Sequence, residues 1–118
     1  METKELLLDA YSHIRRIVHQ AADGLSVEQL AYRPEEGSNS IAWLVWHLTR
    51  IEDSHLSAVT QLDEAWSTDG WDERFGLGGT TSIGFGDGPE QVAALRPEGD
   101  LLLGYHDYVN GRVLSYMD

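Results

Sequence analysis

The chain has 118 residues, with eight basic and twenty acidic side chains, a formal charge of −12 and a pI near 4.6. A surface that negative repels phosphate backbones and anionic lipid, which excludes nucleic acid and a membrane surface as partners. Cysteine is absent, so disulfides, thiolate metal sites and a cysteine nucleophile are excluded, and any thiol chemistry has to arrive on a cofactor.

Residues 3–22 read as the first helix, with Leu6, Leu7, Ala10, Ile14, Ile17, Val18 and Ala21 as its apolar stripe. Asp23-Gly24 supplies the stop. His13 is expected at the rim, bonded to a neighbouring helix, and His19 in solvent. Arg15 and Arg16 make a short basic spot on a solvated face. Ser26-Val27-Glu28-Gln29 has the form of a capping box, which predicts a helical turn through Tyr32 that Arg33-Pro34 closes.

Asn39 or Ser40 can cap a long second helix that runs to Gln61 or Leu62. Ile41, Leu44, Val45, Leu48, Ile51, Leu56 and Val59 recur at three- and four-residue steps, the period of a helix burying one face. His47 falls on that stripe. A buried imidazole needs a hydrogen-bond partner or a metal. A single inward histidine is more often a bonded core residue than a ligand, since a metal site takes three or four donors and one helix supplies one. His55 lies about 80° around the helix from His47, so the two make no chelating pair. Neither HExxH nor a cysteine zinc signature occurs. Trp43 and Trp46 flank the stripe as packing residues. Arg50 and Asp53, three apart, read first as a surface pair worth a few tenths of a kcal/mol, with an inter-helix or site-facing role as the alternative.

From Asp63 to Asp87 the helical period disappears, and seven glycines fall between Gly70 and Gly88. A loop this long inside a compact domain is commonly a lid or a binding loop. Gly76-Leu77-Gly78-Gly79-Thr80-Thr81 lacks the Lys-Ser/Thr ending of a phosphate loop. Trp66 is expected to pin this loop to the helices, and Trp71 and Phe75 either to pin it too or to roof a cavity. Pro89 to Leu95 permits a helical turn. The last helix begins near Glu98 to Asp100, with Leu102, Tyr105, His106, Val109, Val113 and Tyr116 inward, while Gly104 and Gly111 weaken it by on the order of 1 kcal/mol each. His106 is the strongest candidate for an improvised partner to His47, although a core role is the commoner one.

The run Gly24-Leu25-Ser26-Val27-Glu28-Gln29-Leu30-Ala31-Tyr32-Arg33-Pro34, followed by Asn39-Ser40-Ile41-Ala42-Trp43-Leu44-Val45-Trp46-His47-Leu48-Thr49-Arg50-Ile51-Glu52-Asp53, resembles the first half of a DinB-like protein. The match is close over residues 1–60 and loose beyond. The resemblance implies an all-α, up-down-down-up four-helix bundle that holds a divalent metal, zinc or nickel, through one histidine of the second helix and two ligands of the fourth. His47 is then the second-helix ligand. The wider superfamily implies thiol-dependent isomerases and S-transferases that use mycothiol or bacillithiol. The His-x-x-x-His or Glu-x-x-x-His pair of the family's fourth helix has no counterpart after His47.

The expected protein is therefore one DinB-like domain over residues 1–118, with three long helices and a glycine-rich loop. No run approaches the ~20 apolar residues of a membrane span and no signal-like start is present, so the cytoplasm is the expected compartment. The uncovered flank of a three-helix bundle predicts a homodimer. The expected function is metal- and thiol-dependent transfer on a small molecule. The alternative is a metal-free helical protein that self-associates.

Overall fold

The side chains of Ser26 and Ser40 cap two of the helices where the sequence puts them. The computed structural model describes residues 2–118, as α1 (Thr3–Ala22), α2 (Val27–Ala31), α3 (Ile41–Thr60), α4 (Ala65–Thr68), α5 (Trp71–Arg74), α6 (Pro89–Ala94) and α7 (Gly99–Met117). Ser26 and Gln29 bond reciprocally at the start of α2, at 2.9 and 3.1 Å. Ser40 accepts from the Trp43 N–H at 3.0 Å and so opens α3. Gln61, in the left-handed region at φ 61°, ends it. Among the described residues there is no strand, and no helix is long and apolar enough to cross a membrane.

Pairings between helices give their directions. Asp107 of α7 meets Arg15 and His19 of α1, Asn110 donates to the Tyr11 carbonyl, and Lys4 lies 3.7 Å from Asp118, so α1 and α7 are antiparallel. Tyr105 bonds Asp53, His106 bonds Thr49, and Leu56 and Val59 border the same hollow as Val113 and Tyr116, so α3 and α7 run parallel. The order is up, down, down. α7 packs along both other long helices, whereas α1 and α3 meet only sparingly. Between these two an open groove is lined by Ile17, Ala21, Leu44 and Leu48.

That groove corrects the expected buried faces. Leu44 is 50% exposed and Val59 63%, while on α1 Leu6 is 57% and Ile17 48% exposed. α3 instead buries Ala42, Trp43, Val45, Trp46, Thr49, Arg50, Asp53 and Leu56. α3 carries apolar side chains around most of its circumference, so periodicity marks a helix without fixing which edge faces the core. The 63–87 segment also differs from the expected plain loop, because it contains α4 and α5, each a single turn too short to show a period. His13 is exposed and contacts Arg16 of its own helix. His19 is half-buried, its Nε2 2.7 Å from Asp107. That carboxylate, with Asp23, holds the His19 pKa above its usual value. Tyr116, expected inward, is 55% exposed.

The interior of α7 tolerates one glycine with no structural need of it. A Cβ on Gly111 would meet nothing within 4 Å, and its φ is helical. Gly111→Ala should raise stability by about 1 kcal/mol through helix propensity alone, read as a higher urea midpoint with an unchanged m value.

Candidate functional site

The glycine-rich connection is held against α3 by two buried residues of opposite charge. Arg50 donates to the carbonyls of Thr81 at 2.9 Å and Ser82 at 3.3 Å, pairs with Glu64, and lies over the Trp66 ring at 4.8 Å. Asp53 accepts from the Ala65 and Trp66 N–H groups at 2.9 and 2.8 Å and from the Tyr105 hydroxyl at 2.8 Å. The two lie 4.0 Å apart. Trp66 adds a bond from Nε1 to the Thr80 carbonyl at 2.8 Å. The Arg50–Asp53 pair is thus an internal anchor for residues 64–82 and not a surface pair.

Residues 83–85 lie on His47. Its Nδ1 bonds the Ile83 carbonyl, which can only accept, so Nδ1 carries the proton and Nε2 keeps its lone pair. The ring stacks on Trp43, with centroids 4.5 Å apart and planes at 20°, and Phe85 meets it edge-on at 5.6 Å. Gly84 makes this closeness attainable. Its φ is +98°, and a Cβ there would stand 2.9 Å from both His47 Nδ1 and Trp46 Cζ3.

Trp43, which stacks on His47, also forms part of the wall of a cavity of about 460 Å³ that Trp46, Phe75, Leu77, Asp87 and Leu95 help to line. The Trp43 Nε1 donates to Asp87 at 3.0 Å. The Trp46 Nε1 is buried without an acceptor among the described residues. A cavity of this size, with three aromatic rings on one part of its wall and Thr80, Ser82, Asp87 and Gln91 on the rest, suits a small molecule with an apolar part and a polar one.

The three histidines singled out from the sequence do not converge. His47 is half-buried, at the α3 edge that carries Leu44 and Ile51. His55 is exposed. His106 is fully buried in α7. The Thr49 hydroxyl donates its proton to the Val45 carbonyl at 2.7 Å, so His106 Nδ1–H donates to Thr49 Oγ1 at 3.0 Å. Burial pushes the His106 pKa down to about 4, leaving a neutral core residue. Among the described residues no three His, Cys, Asp or Glu side chains gather in a way that could hold a metal ion. The tautomer and position of His47 fit one ligand of a divalent site, while the described residues do not fit a complete one.

The Ile83 carbonyl, Gly84, Phe85 and Asp87 escaped the sequence reading. Their one signal was the Gly84 and Gly86 pair around Phe85, which marks a tight backbone without saying what it approaches.

A family model described as the DinB superfamily matches residues 10–118. A crystal structure of a conserved protein from Enterococcus faecalis is similar at a TM-score of 0.88 and 25% identity, over 100% of this chain and 71% of that one. A search among curated proteins returns no match.

Proposed function

This chain belongs to the DinB superfamily, and from that membership we propose that it binds a divalent ion, zinc or nickel, through His47 and serves as a thiol-dependent transferase or isomerase in the cytoplasm. The observation that carries this reading is the state of His47, whose Nδ1–H is committed to the Ile83 carbonyl while Nε2 stays free. The remaining ligands come from a polypeptide packed in the groove between α1 and α3, along the edge where His47 lies. A homodimer is one way to fill it. When bound, such an ion lowers the pKa of a coordinated thiol or water, and mycothiol or bacillithiol supplies the sulfur that the chain lacks. The aromatic cavity behind Trp43 takes the apolar part of the second substrate.

Elemental analysis of protein purified without a metal-affinity tag tests this reading. Near one zinc or nickel ion per chain or per dimer is expected, and His47→Ala should lose it while keeping the helical circular dichroism spectrum. A metal content unchanged by that substitution overturns it.

A second reading is favoured by a different observation, the exposure of Leu6, Ile17, Leu44 and Val59. In it the chain is a metal-free interaction protein whose groove is covered by a second copy. Absence of metal together with a dimeric sedimentation coefficient supports that reading, and a metal-free monomer removes both.

A further inference from the structure

A second hollow lies at the other end of α3, away from His47 and the aromatic cavity. It measures about 160 Å³, and its walls are Tyr11 of α1, His55, Leu56 and Val59 of α3, and Val113, Tyr116 and Met117 of α7. Among these apolar and aromatic walls stands one carboxylate, Glu52, only 7% exposed. Both of its oxygens are buried and neither has a hydrogen-bond partner among the described residues. A buried ionised carboxylate without a partner is among the most costly arrangements in a protein interior.

The polar groups in neighbouring layers of the core do not relieve it. Glu52 follows Thr49 by almost one turn of α3, and Asn110 follows His106 by about one turn of the parallel α7. The His106 Nδ1 proton is used on Thr49, and His106 Nε2, a bare lone pair, is itself unpartnered. Asn110 spends an amide proton on the Tyr11 carbonyl, and its Oδ1 is unpartnered too. The unmet atoms of Glu52, His106 and Asn110 are therefore all acceptors, and His55, the basic side chain that lines the hollow, is exposed and makes no hydrogen bond to Glu52, so these buried atoms lack a donor or a positive charge. Burial alone pushes the Glu52 carboxyl up to about 7.

We propose that the hollow over Glu52 is a binding site for a small primary ammonium ion with a short apolar tail, the ammonium group pairing with the Glu52 carboxylate and the tail lying between Tyr11, Leu56 and Val113. The ammonium group donates three hydrogen bonds and cancels the buried charge, and Tyr11 and Tyr116, which line the hollow, add aromatic surface compatible with a cation. A hollow of about 160 Å³ leaves room for an alkyl tail of a few carbons. This site is separate from the one assigned to His47, and its test does not depend on metal content.

Butylammonium chloride is the probe, and n-butanol is its neutral isostere. Titration followed by methyl NMR should show saturable one-to-one shifts of the Leu56, Val113 and Met117 methyl signals with butylammonium, and at least a tenfold weaker response with butanol. Glu52→Gln, which keeps the shape and removes the charge, should weaken butylammonium at least tenfold and leave butanol unaffected. Equal binding of the amine and the alcohol to the wild-type protein, or no saturable shift with the amine, overturns the proposal without recourse to the variant. Unchanged butylammonium affinity in a folded Glu52→Gln protein overturns it as well.

Discussion

Asp53→Ala should cost about 3–5 kcal/mol, the range for removing one member of a buried charged network. The carboxylate is 1% exposed and satisfies the Ala65 and Trp66 N–H groups and the Tyr105 hydroxyl while standing between Arg50 and Arg112. Alanine leaves three donors without their acceptor and takes away one of the two carboxylates beside the buried Arg50 guanidinium, and none of the donors can reach water without opening the core. Since a domain is stabilised by only about 5–15 kcal/mol in total, much of the population should unfold under mild denaturant. Urea titration followed by tryptophan fluorescence and by circular dichroism measures the loss. Asp53→Asn should lose less, because its amide oxygen still accepts from one or two of the same donors. A cost below 1 kcal/mol for alanine would mean that Arg50, Trp66 and the apolar contacts hold the connection without Asp53.

Gly84→Ala should cost about 2–3 kcal/mol, combining the strain of a side chain at φ +98° with forced overlap at two aromatic rings. Neither ring can retreat, because Trp46 is buried against Trp66 and the His47 imidazole is sandwiched between Trp43 and the loop itself. The loop gives way first. Residues 82–86 should therefore become susceptible to limited proteolysis before the helices melt, and His47 should lose the fixed tautomer that its bond to Ile83 imposes, seen in its ¹⁵N chemical shifts. Asp53→Ala, by contrast, should lower the stability of the whole domain.

The helices and their ends were readable because the cues are local. Ser26 with Gln29, Ser40 before Trp43, and Pro89 at the first turn of α6 act within a few residues of themselves. Faces were harder to read. On α3 the residues that reach the core include Thr49, Arg50, Glu52 and Asp53, buried because distant segments need their hydrogen bonds or lie over them, and no pattern within the helix announces that. His19 was assigned to solvent for the same reason, its partner Asp107 lying in the last helix. His47 was singled out by its place on the apolar stripe and given a ligand's role by the family resemblance, but its partners come from a stretch with no period. Glu52 left one usable trace, standing in register with Val45, Thr49 and Leu56 at four-, three- and four-residue steps. A lone acid in an otherwise apolar heptad row is a burial signal that hydrophobic periodicity alone passes over.

The parallel course of α3 and α7 also sets a length requirement on everything between them. Thr60 and Gly99 sit at opposite ends of the bundle, and a helix of 20 residues spans about 30 Å at 1.5 Å per residue. About ten extended residues would cover that return, yet the connection uses residues 61–98. Most of the connection is thus surplus to travel. Insertions or deletions in the exposed stretches around Gly76–Gly79 and Gly86–Glu90 should leave the helical frame in register while reshaping the cavity wall, so new ligand preferences can be gained there without redesigning the bundle.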